Sequence, residues 1–285
     1  MRRLTFFWIY LAVMFFKIEI AQGQSKRSSQ FYRASPALGV LKVGASTGIS
    51  YYLGDLRAKT NFRFLEPQLT LFASYRLAER IAARGEVGWY RVSGKHAGGP
   101  IWYNNLSFRS DNPVASLQVQ LDAFRYNDRR LFNPYLVGGV GMTRLNPKGF
   151  YQGNWYSLPP LMTEGVAYNR NVRVLTAGIG VAWRYDDDWT FAFELTDNFV
   201  NSDYLDDVST RYPDPTGMSE LALALSDRRP ELTNLPPGFS PRNEPGNQRG
   251  NPSVKDGYGF LSFRVEYLLG NSAKRAERRK LKCFY

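Results

Sequence analysis

The stretch Gly257–Leu269 constrains the fold of this chain more than any other part of its sequence. Within it, large apolar residues at positions 261, 263, 265 and 267 alternate with Ser262, Arg264 and Glu266. A period of two residues predicts a β-strand, not a helix. Because one face is bulky and apolar while the other carries full charges, the strand suits a wall between lipid and a polar lumen.

Seven earlier segments repeat this alternation, at lengths near the roughly 9–11 residues that a tilted strand needs to cross a bilayer. They start near residues 41, 68, 81, 116, 134, 175 and 189. The clearest of them places Leu117, Val119 and Leu121 opposite Gln118 and Gln120. In the segment that starts at 134, glycines at 138, 139 and 141 blur the pattern and indicate curvature or a bulge, so its facing stays open.

The connections between these segments alternate in length. Segments 54–66, 94–113, 147–169 and 200–256 are long, whereas 78–80, 127–133 and 186–188 are short. Long loops at one end and short turns at the other are ordinary in outer-membrane barrels, whereas a connection of such length as the last is rare in a soluble domain. The sequence therefore predicts an all-β fold, an eight-stranded antiparallel transmembrane β-barrel with a long fourth external loop. A soluble β-sandwich with charged faces in water is the alternative.

The amino terminus indicates the compartment. Arg2 and Arg3 precede an apolar run over residues 4–16, and Ala21 and Gly23 offer small residues for cleavage, which is the pattern of a secretory signal peptide. The sequence then divides into four parts: a signal peptide (1–23), a periplasmic leader (24–37), an outer-membrane barrel (38–270) and a basic periplasmic tail (271–285). This division predicts the outer membrane of a Gram-negative bacterium, with both termini periplasmic.

Composition removes several other classes of protein. The net charge of +12 fits an anionic membrane surface or an acidic partner, and nucleic acid is not an expected partner in the periplasm. The single cysteine, Cys283, rules out an internal disulfide, and its state as a free thiol or an intermolecular crosslink stays open. The single histidine, His96, cannot form a multi-histidine metal site. We expect no cofactor and no small-molecule substrate.

The polar faces of the strands carry nearly balanced charges. If the apolar faces meet outer-membrane lipids, five basic and four acidic groups point into the lumen: Lys42, Arg76, Arg84, Glu86, Asp122, Arg184, Glu194, Arg264 and Glu266. An eight-stranded barrel is just wide enough for side chains to fill, and a buried charge is far less costly when it is paired. We therefore expect a lumen charge network that plugs the barrel and argues against a diffusion pore.

Aromatic residues near the strand ends of the apolar faces predict the two interfacial girdles of a membrane barrel. The outer girdle contains Tyr51 and Trp89. The inner girdle contains Tyr75, Trp183, Trp189 and Tyr267.

The long fourth loop contains an acidic cluster. Asp203, Asp206 and Asp207, with Asp214, supply the oxygen ligands that calcium prefers, but their spacing lacks the EF-hand pattern. The favoured interpretation is that these carboxylates fold the loop, because Asx side chains commonly make turns. Their expected cationic partners are the arginines of the same loop, Arg211, Arg228 and Arg249.

His96 is a candidate for a hydrolase triad with Ser93 and Glu86. It is the only histidine, it lies in a glycine-rich loop and no aligned partner is evident, so we expect an ordinary surface residue. We therefore predict that the protein is not an enzyme, with a lipid-modifying enzyme as the remaining catalytic alternative.

The segment after the last predicted strand is strongly basic. Its cations are Lys274, Arg275, Arg278, Arg279, Lys280 and Lys282. The segment is either a solvated tail or a periplasmic docking peptide that charge steers toward an acidic protein surface or peptidoglycan.

Several motifs resemble those of the PorG-type outer-membrane barrels of Bacteroidetes. The most specific is the loop motif DYLDDVST at 203–210, with Asp203, Tyr204, Asp206 and Asp207. The others lie at 50–56, 133–141, 158–165, 225–228, 249–252 and 255–256. The resemblance covers nearly all of the chain after the signal peptide, and it implies a barrel of the size of OmpA or OmpX.

The resemblance also implies a role. PorG-type proteins are components of the type IX secretion system, a protein-transport machine, and contact a periplasmic ring built from a lipoprotein and its partner. The expected function is a non-enzymatic barrel that anchors or organises this machinery through its secretion-ring proteins. The alternative is a stand-alone barrel that binds an extracellular ligand or surface through its long loops.

Overall fold

Eight antiparallel strands form a closed barrel in the computed structural model, which describes residues 39–56, 64–96, 101–128, 130–253 and 255–269. The barrel strands are β1 (Leu41–Leu53), β2 (Glu66–Arg76), β3 (Ile81–Lys95), β4 (Ser107–Asp122), β5 (Phe132–Arg144), β8 (Asn171–Arg184), β9 (Trp189–Val200) and β10 (Gly257–Leu269). A separate hairpin, β6 (Pro147–Tyr151) and β7 (Asn154–Ser157), lies in the third long loop. The predicted fold class is confirmed.

The first and last strands close the barrel. β1 pairs with β10 along its whole length, from Leu41 opposite Leu269 to Leu53 opposite Gly257. Every other barrel strand pairs with its neighbours in sequence, β5 with β8 included. Leu53 and Gly257 are the ends of β1 and β10 that lead into the long loops. Leu41 and Leu269 therefore lie at the end of the barrel that carries the short turns.

The two faces of the wall differ as the alternation predicts. Outward residues include Leu117, Val140 and Phe193, whose exposures are 71%, 62% and 63%. The inward faces are mostly polar and buried, as at Gln118 and Thr176. Such an apolar exterior around a polar interior is typical of a barrel embedded in lipid. The aromatic residues assigned to the girdles lie on the outward face, with Tyr75, Trp183 and Trp189 exposed.

The glycine-rich strand β5 is regular, so the bulge that the sequence suggested is absent. Its pairing with β8 runs without interruption from Phe132 to Arg144, and Tyr135 and Val137 face inward. A Cβ at Gly139 would lie 2.3 Å from the carbonyl oxygen of Leu117. Gly139 and Gly141 therefore permit the close approach of the neighbouring strand β4.

The second long loop is shorter than the sequence suggests. We expected a connection over 94–113, but β3 and β4 pair out to Lys95 opposite Ser107. Pro113 lies inside β4 opposite Trp89, and its carbonyl oxygen accepts a hydrogen bond from Thr143. Proline and acidic residues are uncommon in strands, so their presence in the outer half of β4 led us to predict a loop there.

The fourth loop folds over the outer mouth of the barrel. It contains the short helix α1 (Glu220–Ser226), which Ser219 caps by accepting a hydrogen bond from the backbone N–H of Ala222. Leu205 and Val208 from this loop join a buried apolar cluster inside the outer half of the barrel. The loop is therefore a folded cap, packed on the barrel interior.

Aromatic side chains fill the outer half of the lumen beneath this cap. The rings of Tyr90 and Tyr258 stack with centroids 4.1 Å apart, and Phe260 lies 5.1 Å from Tyr258. All three belong to the same buried cluster as Leu205. The barrel interior is therefore apolar near the cap and charged farther in.

Some sequence predictions lie outside the described residues. These are the signal peptide, the periplasmic leader, the basic tail and Cys283. Within the described residues, no helix has the length and apolar character that crossing a membrane requires.

Candidate functional site

Four charged side chains meet at the centre of the lumen. Nη1 of Arg84 lies 2.8 Å from Glu194, and its Nε lies 3.0 Å from Glu86. Nη1 of Arg264 lies 2.8 Å from Glu86 and 3.1 Å from Glu194. Each guanidinium thus contacts both carboxylates. The hydroxyl of Tyr135 donates a further hydrogen bond of 2.8 Å to Glu194.

The strand register creates this central cluster. Glu194 opposes Ser262 on β10, and Arg84 and Glu86 are alternate inward residues of β3 on the other side of the lumen. Arg84 and Arg264 are each only 1% exposed. Two buried cations against two carboxylates leave no net charge, which is the condition under which buried ions are tolerated.

A second group of charges lies toward the short turns. Arg76 forms an ion pair with Asp122, and the ammonium of Lys42 lies 3.0 Å from Glu266. Arg184 donates a hydrogen bond to the carbonyl oxygen of Tyr126 at 3.2 Å. The structure therefore brings all nine predicted lumen charges together in two layers.

Tyr126 organises the layer of charges near the short turns. It lies in a single 3₁₀ turn, Tyr126–Asp128, between β4 and β5. Its ring centroid is 4.7 Å from the guanidinium carbons of Arg76 and Arg184, and 5.7 Å from the ammonium of Lys42. Cations are attracted to the face of such a ring. The turn therefore folds inward and closes this end of the lumen, a feature that sequence alternation does not reveal.

Little space remains between the central cluster and the aromatic side chains beneath the cap. The cavity beside Glu86, Glu194 and Arg264 has a volume of about 20 Å³. A water molecule needs roughly 10–15 Å³ of such volume. The lumen therefore has room for about one water at this level.

The loop motif DYLDDVST at 203–210 forms part of the cap. Asp207 accepts hydrogen bonds from Thr163 and, at 2.7 Å, from the hydroxyl of Tyr168. Arg249 lies 3.8 Å from the Asp207 carboxylate and 3.0 Å from Glu164. Burial raises the pKa of Asp207 to about 6, although the charge of Arg249 opposes this shift. The carboxylate thus ties three separate segments of the chain together.

Glu164 completes this arrangement. Its carboxylate accepts hydrogen bonds from the backbone N–H groups of Ser209 and Thr210 at 2.8 and 3.0 Å. The Thr210 hydroxyl adds a bond of 2.7 Å. The third loop therefore holds the fourth in place through one buried carboxylate.

Asp206 and Asp256 share one hydroxyl. Tyr52 lies with its hydroxyl 2.6 Å from Asp206 and 2.7 Å from Asp256. Burial raises the pKa of both carboxyls well above the usual aspartate range, and the neighbouring Asp256 adds to the shift of Asp206. This pair connects the motif to the start of β10, and a proton on it offsets the repulsion of two buried carboxylates.

Asp203 lies differently from the other two aspartates. Neither of its carboxylate oxygens has a hydrogen-bond partner among the described residues. Burial raises its pKa to about 7. The next residue, Tyr204, stacks on Tyr168 with ring centroids 4.3 Å apart. The motif is therefore built into the cap, and its aspartates serve different neighbours.

The predicted arginine partners divide between pairing and other contacts. Of the three arginines, Arg249 pairs with Asp207, whereas Arg228 pairs with Glu231 at 2.8 Å. Arg211 donates to the carbonyl oxygen of Gly246. Asp214 is exposed and accepts from Thr216. Among the described residues, no group of three or more His, Cys, Asp or Glu side chains is arranged to hold a metal ion.

His96 is buried, so the expectation of a surface residue was wrong. It is only 3% exposed, and burial, with a contribution from Arg249, lowers its pKa to about 4. Its backbone N–H donates a hydrogen bond to the carbonyl oxygen of Leu106 across the second loop. Ser93 instead donates to Glu66, and Glu86 belongs to the central lumen cluster. The three candidate triad residues therefore serve separate structures.

Several key residues of the site were missed by sequence reasoning. Glu164, Tyr52, Asp256 and Tyr126 lie in different connections and strands, and their partners are up to 204 positions away. Local periodicity carries no information on such pairs. The available signal was that Tyr52, Glu164 and Asp256 fall inside the motifs quoted from the sequence.

Several solved outer-membrane proteins are similar to this chain. Neisserial surface protein A is 13% identical over 80% of this chain and 96% of its own, with a TM-score of 0.41. The attachment invasion locus protein Ail of Yersinia pestis is 11% identical over 81% and 99%, with a TM-score of 0.41. The outer membrane protein OprG of Pseudomonas aeruginosa is 11% identical over 81% and 96%, with a TM-score of 0.39. No protein-family model and no curated protein matches the sequence.

Proposed function

We propose that this chain is a non-enzymatic outer-membrane barrel that anchors or organises the type IX secretion machinery through periplasmic contacts with its ring. In this proposal the long loops face the exterior, and both termini lie in the periplasm. The observation that carries it is the closed lumen. Side chains fill the barrel from Tyr126 to the cap. We therefore expect the protein to act through the surfaces at its two ends and not through its lumen.

The exposed apolar belt supports a membrane location. Contiguous apolar surface of this extent on a soluble protein is a liability, whereas in lipid it is the expected exterior. Arg80, Arg125 and the acidic turn 186–188 place charges at the opposite end from the cap. That end is suited to polar contacts with periplasmic proteins.

The secretion role draws its support from the motif resemblance. The loop motif that carries the resemblance is held by buried ion pairs and hydrogen bonds in the cap. The proposed step is that a barrel with this motif contacts the periplasmic ring proteins of the secretion system. The basic tail is the expected docking peptide, because its charge would steer it to an acidic surface.

Gene deletion combined with affinity isolation tests this role. We expect that loss of the chain reduces export of type IX cargo, and that the tagged barrel retains the ring proteins. A variant that ends at residue 270 should insert normally but recover less ring protein. Unchanged cargo export together with no ring protein on the tagged barrel would contradict the proposal.

A second candidate is a barrel that binds an extracellular ligand through its loops. The specific observation in its favour is a cavity of about 590 Å³ in the cap. Replacing residues 202–255 by a short turn should abolish ligand capture in this case and leave secretion unchanged. Under the first proposal the secretion defect follows the periplasmic end instead.

A further inference from the structure

A cavity lies between the second and fourth outer loops, outside the charge network of the lumen. Its volume of about 590 Å³ falls within the roughly 300–1,000 Å³ of small-molecule sites. One side is the 3₁₀ turn Trp102–Asn104 and the other is the segment 238–251, with Arg229 between them. Two loops remote in sequence thus enclose a pocket of ligand size.

Arg229 is a buried cation in the wall of this cavity. It is 6% exposed, and none of the carboxylates in the described residues forms an ion pair with it. One terminal nitrogen donates to Asn104 at 2.9 Å, and the other makes a long contact of 3.5 Å with the carbonyl oxygen of Ser240. The Nε has no partner among the described residues. A guanidinium has five N–H donors, so each terminal nitrogen keeps one N–H without a partner among the described residues.

Aromatic rings fix the position of this guanidinium. The centroids of Tyr103 and Phe239 each lie 5.5 Å from its central carbon, and the rings lie 4.7 Å from each other. Ring faces attract a cation, but they supply no oxygen acceptor. The charge is therefore held in place without a counter-ion.

The other charged residues of the cavity do not neutralise Arg229. Arg249 is already paired with Glu164 and Asp207. Asp55 accepts a hydrogen bond from the backbone N–H of Asn251, and Glu244 is exposed, as is Arg242. Asp227, the nearest carboxylate in sequence, accepts from the side-chain amide of Asn243 and from the backbone N–H of Arg229, but it forms no ion pair with the Arg229 guanidinium. An unpaired buried charge is costly, which makes Arg229 a site for an anion from outside.

We propose that this cavity binds a small acidic saccharide, with its carboxylate or sulfate group paired to Arg229. Guanidinium groups bind planar oxyanions through paired N–H donors. The remaining lining suits sugar hydroxyls, because it is rich in amide and hydroxyl groups: Asn104, Ser240, Asn243, Asn247 and Gln248. The site deepens the second candidate function by naming a ligand class, and it is independent of the periplasmic contacts.

Isothermal titration of the full chain in detergent micelles tests the proposal. The probe is digalacturonate, and its neutral control is the methyl ester of the same sugar. We expect the acid to bind at least tenfold more tightly than the ester, and its affinity to fall with added salt. A second titration uses inorganic sulfate as the competitor of digalacturonate. Competition by sulfate would show that the site also accepts sulfated sugars.

Two variants assign the binding to Arg229. Arg229→Gln should weaken binding of digalacturonate or sulfate at least tenfold. Arg228→Gln is the matched control, because that neighbouring side chain pairs with Glu231 and Ser107, and it should leave affinity within twofold. The thermal midpoint without ligand reports on folding, and Arg229→Gln should keep it or raise it, as expected on removing an unpaired buried charge.

The outcomes are separable from those of the secretion assay. Binding of neither anion by the intact chain would overturn the site, and so would equal affinity of Arg229→Gln and the intact chain. A lowered thermal midpoint in Arg229→Gln would show that Arg229 stabilises the folded cap, and it would overturn its assignment as an anion site. None of these results alters the expected recovery of ring proteins, which depends on the opposite end of the barrel.

Discussion

Glu194 is the residue on which the central lumen cluster depends most. It accepts from Arg84, Arg264 and Tyr135, so its replacement leaves two guanidinium groups to share Glu86. Breaking a buried ion pair by removing one partner typically costs about 3–5 kcal/mol. We expect Glu194→Gln to lower the free energy of unfolding by about that amount, measured by urea denaturation in lipid vesicles.

An exposed ion pair supplies the control for this variant. Glu79 and Arg125 lie 3.3 Å apart, and their side chains are 49% and 60% exposed. Surface pairs are worth about 0–1 kcal/mol because solvent screens them. Glu79→Gln should therefore be nearly neutral. Equal losses from both variants would show that the lumen network does not stabilise the barrel.

At the scale of elements, the strands were predictable and the loops were not. The inward facing of Arg84, Glu194 and Arg264 follows from a period of two, which a half-lipid, half-polar wall imposes on every strand. The contact between Glu164 and Arg249 spans 85 positions, and no local pattern encodes it. His96 is likewise buried near Arg249 of this loop, where burial and the charge of Arg249 lower its pKa, and its local sequence does not reveal that neighbour.

The cap is an element whose stability should depend on pH. Burial raises the pKa of Asp203 to about 7 and that of Asp207 to about 6, above the unfolded value of about 3.9. The pKa values of Asp206 and Asp256 are raised in the same direction. The folded cap thus binds more protons than the unfolded loop, so this contribution to its stability is fully present below about pH 4 and is lost as pH rises through about 7 and above. We expect hydrogen exchange of residues 203–212 to be slower at pH 5 than at pH 8, after correction for intrinsic rates.

Asp203→Asn isolates the contribution of that carboxyl. The amide cannot ionise, so the variant should lose the part of the difference between pH 5 and pH 8 that Asp203 contributes, and it should be better protected at pH 8 than the intact chain. Asp214→Asn is the matched change on the exposed part of the same loop, where Thr216 lowers the pKa of the carboxyl. It should not remove the effect. A cap that is more protected at high pH would contradict the sign of this linkage.

At the scale of the whole molecule, closure is redundant. The cap, the aromatic cluster of Tyr90, Tyr258 and Phe260, the central ion pairs and the inward turn at Tyr126 succeed one another along the axis. Sequence reasoning predicted the charged layer from the balance of inward residues. It missed the aromatic layer and the turn, because neither depends on a pattern within one strand.

Redundant closure predicts the electrical behaviour of the protein. In planar lipid bilayers the intact chain should show no stable ion channel. Replacing residues 202–255 by a short turn removes the cap but leaves the pairing of β9 with β10, from Phe199 opposite Gly257 onward. This variant should also remain closed, because the ion pairs and Tyr126 lie deeper in the lumen. A stable conductance on loop removal alone would mean that the cap is the gate and that the lumen charges leave a path for ions.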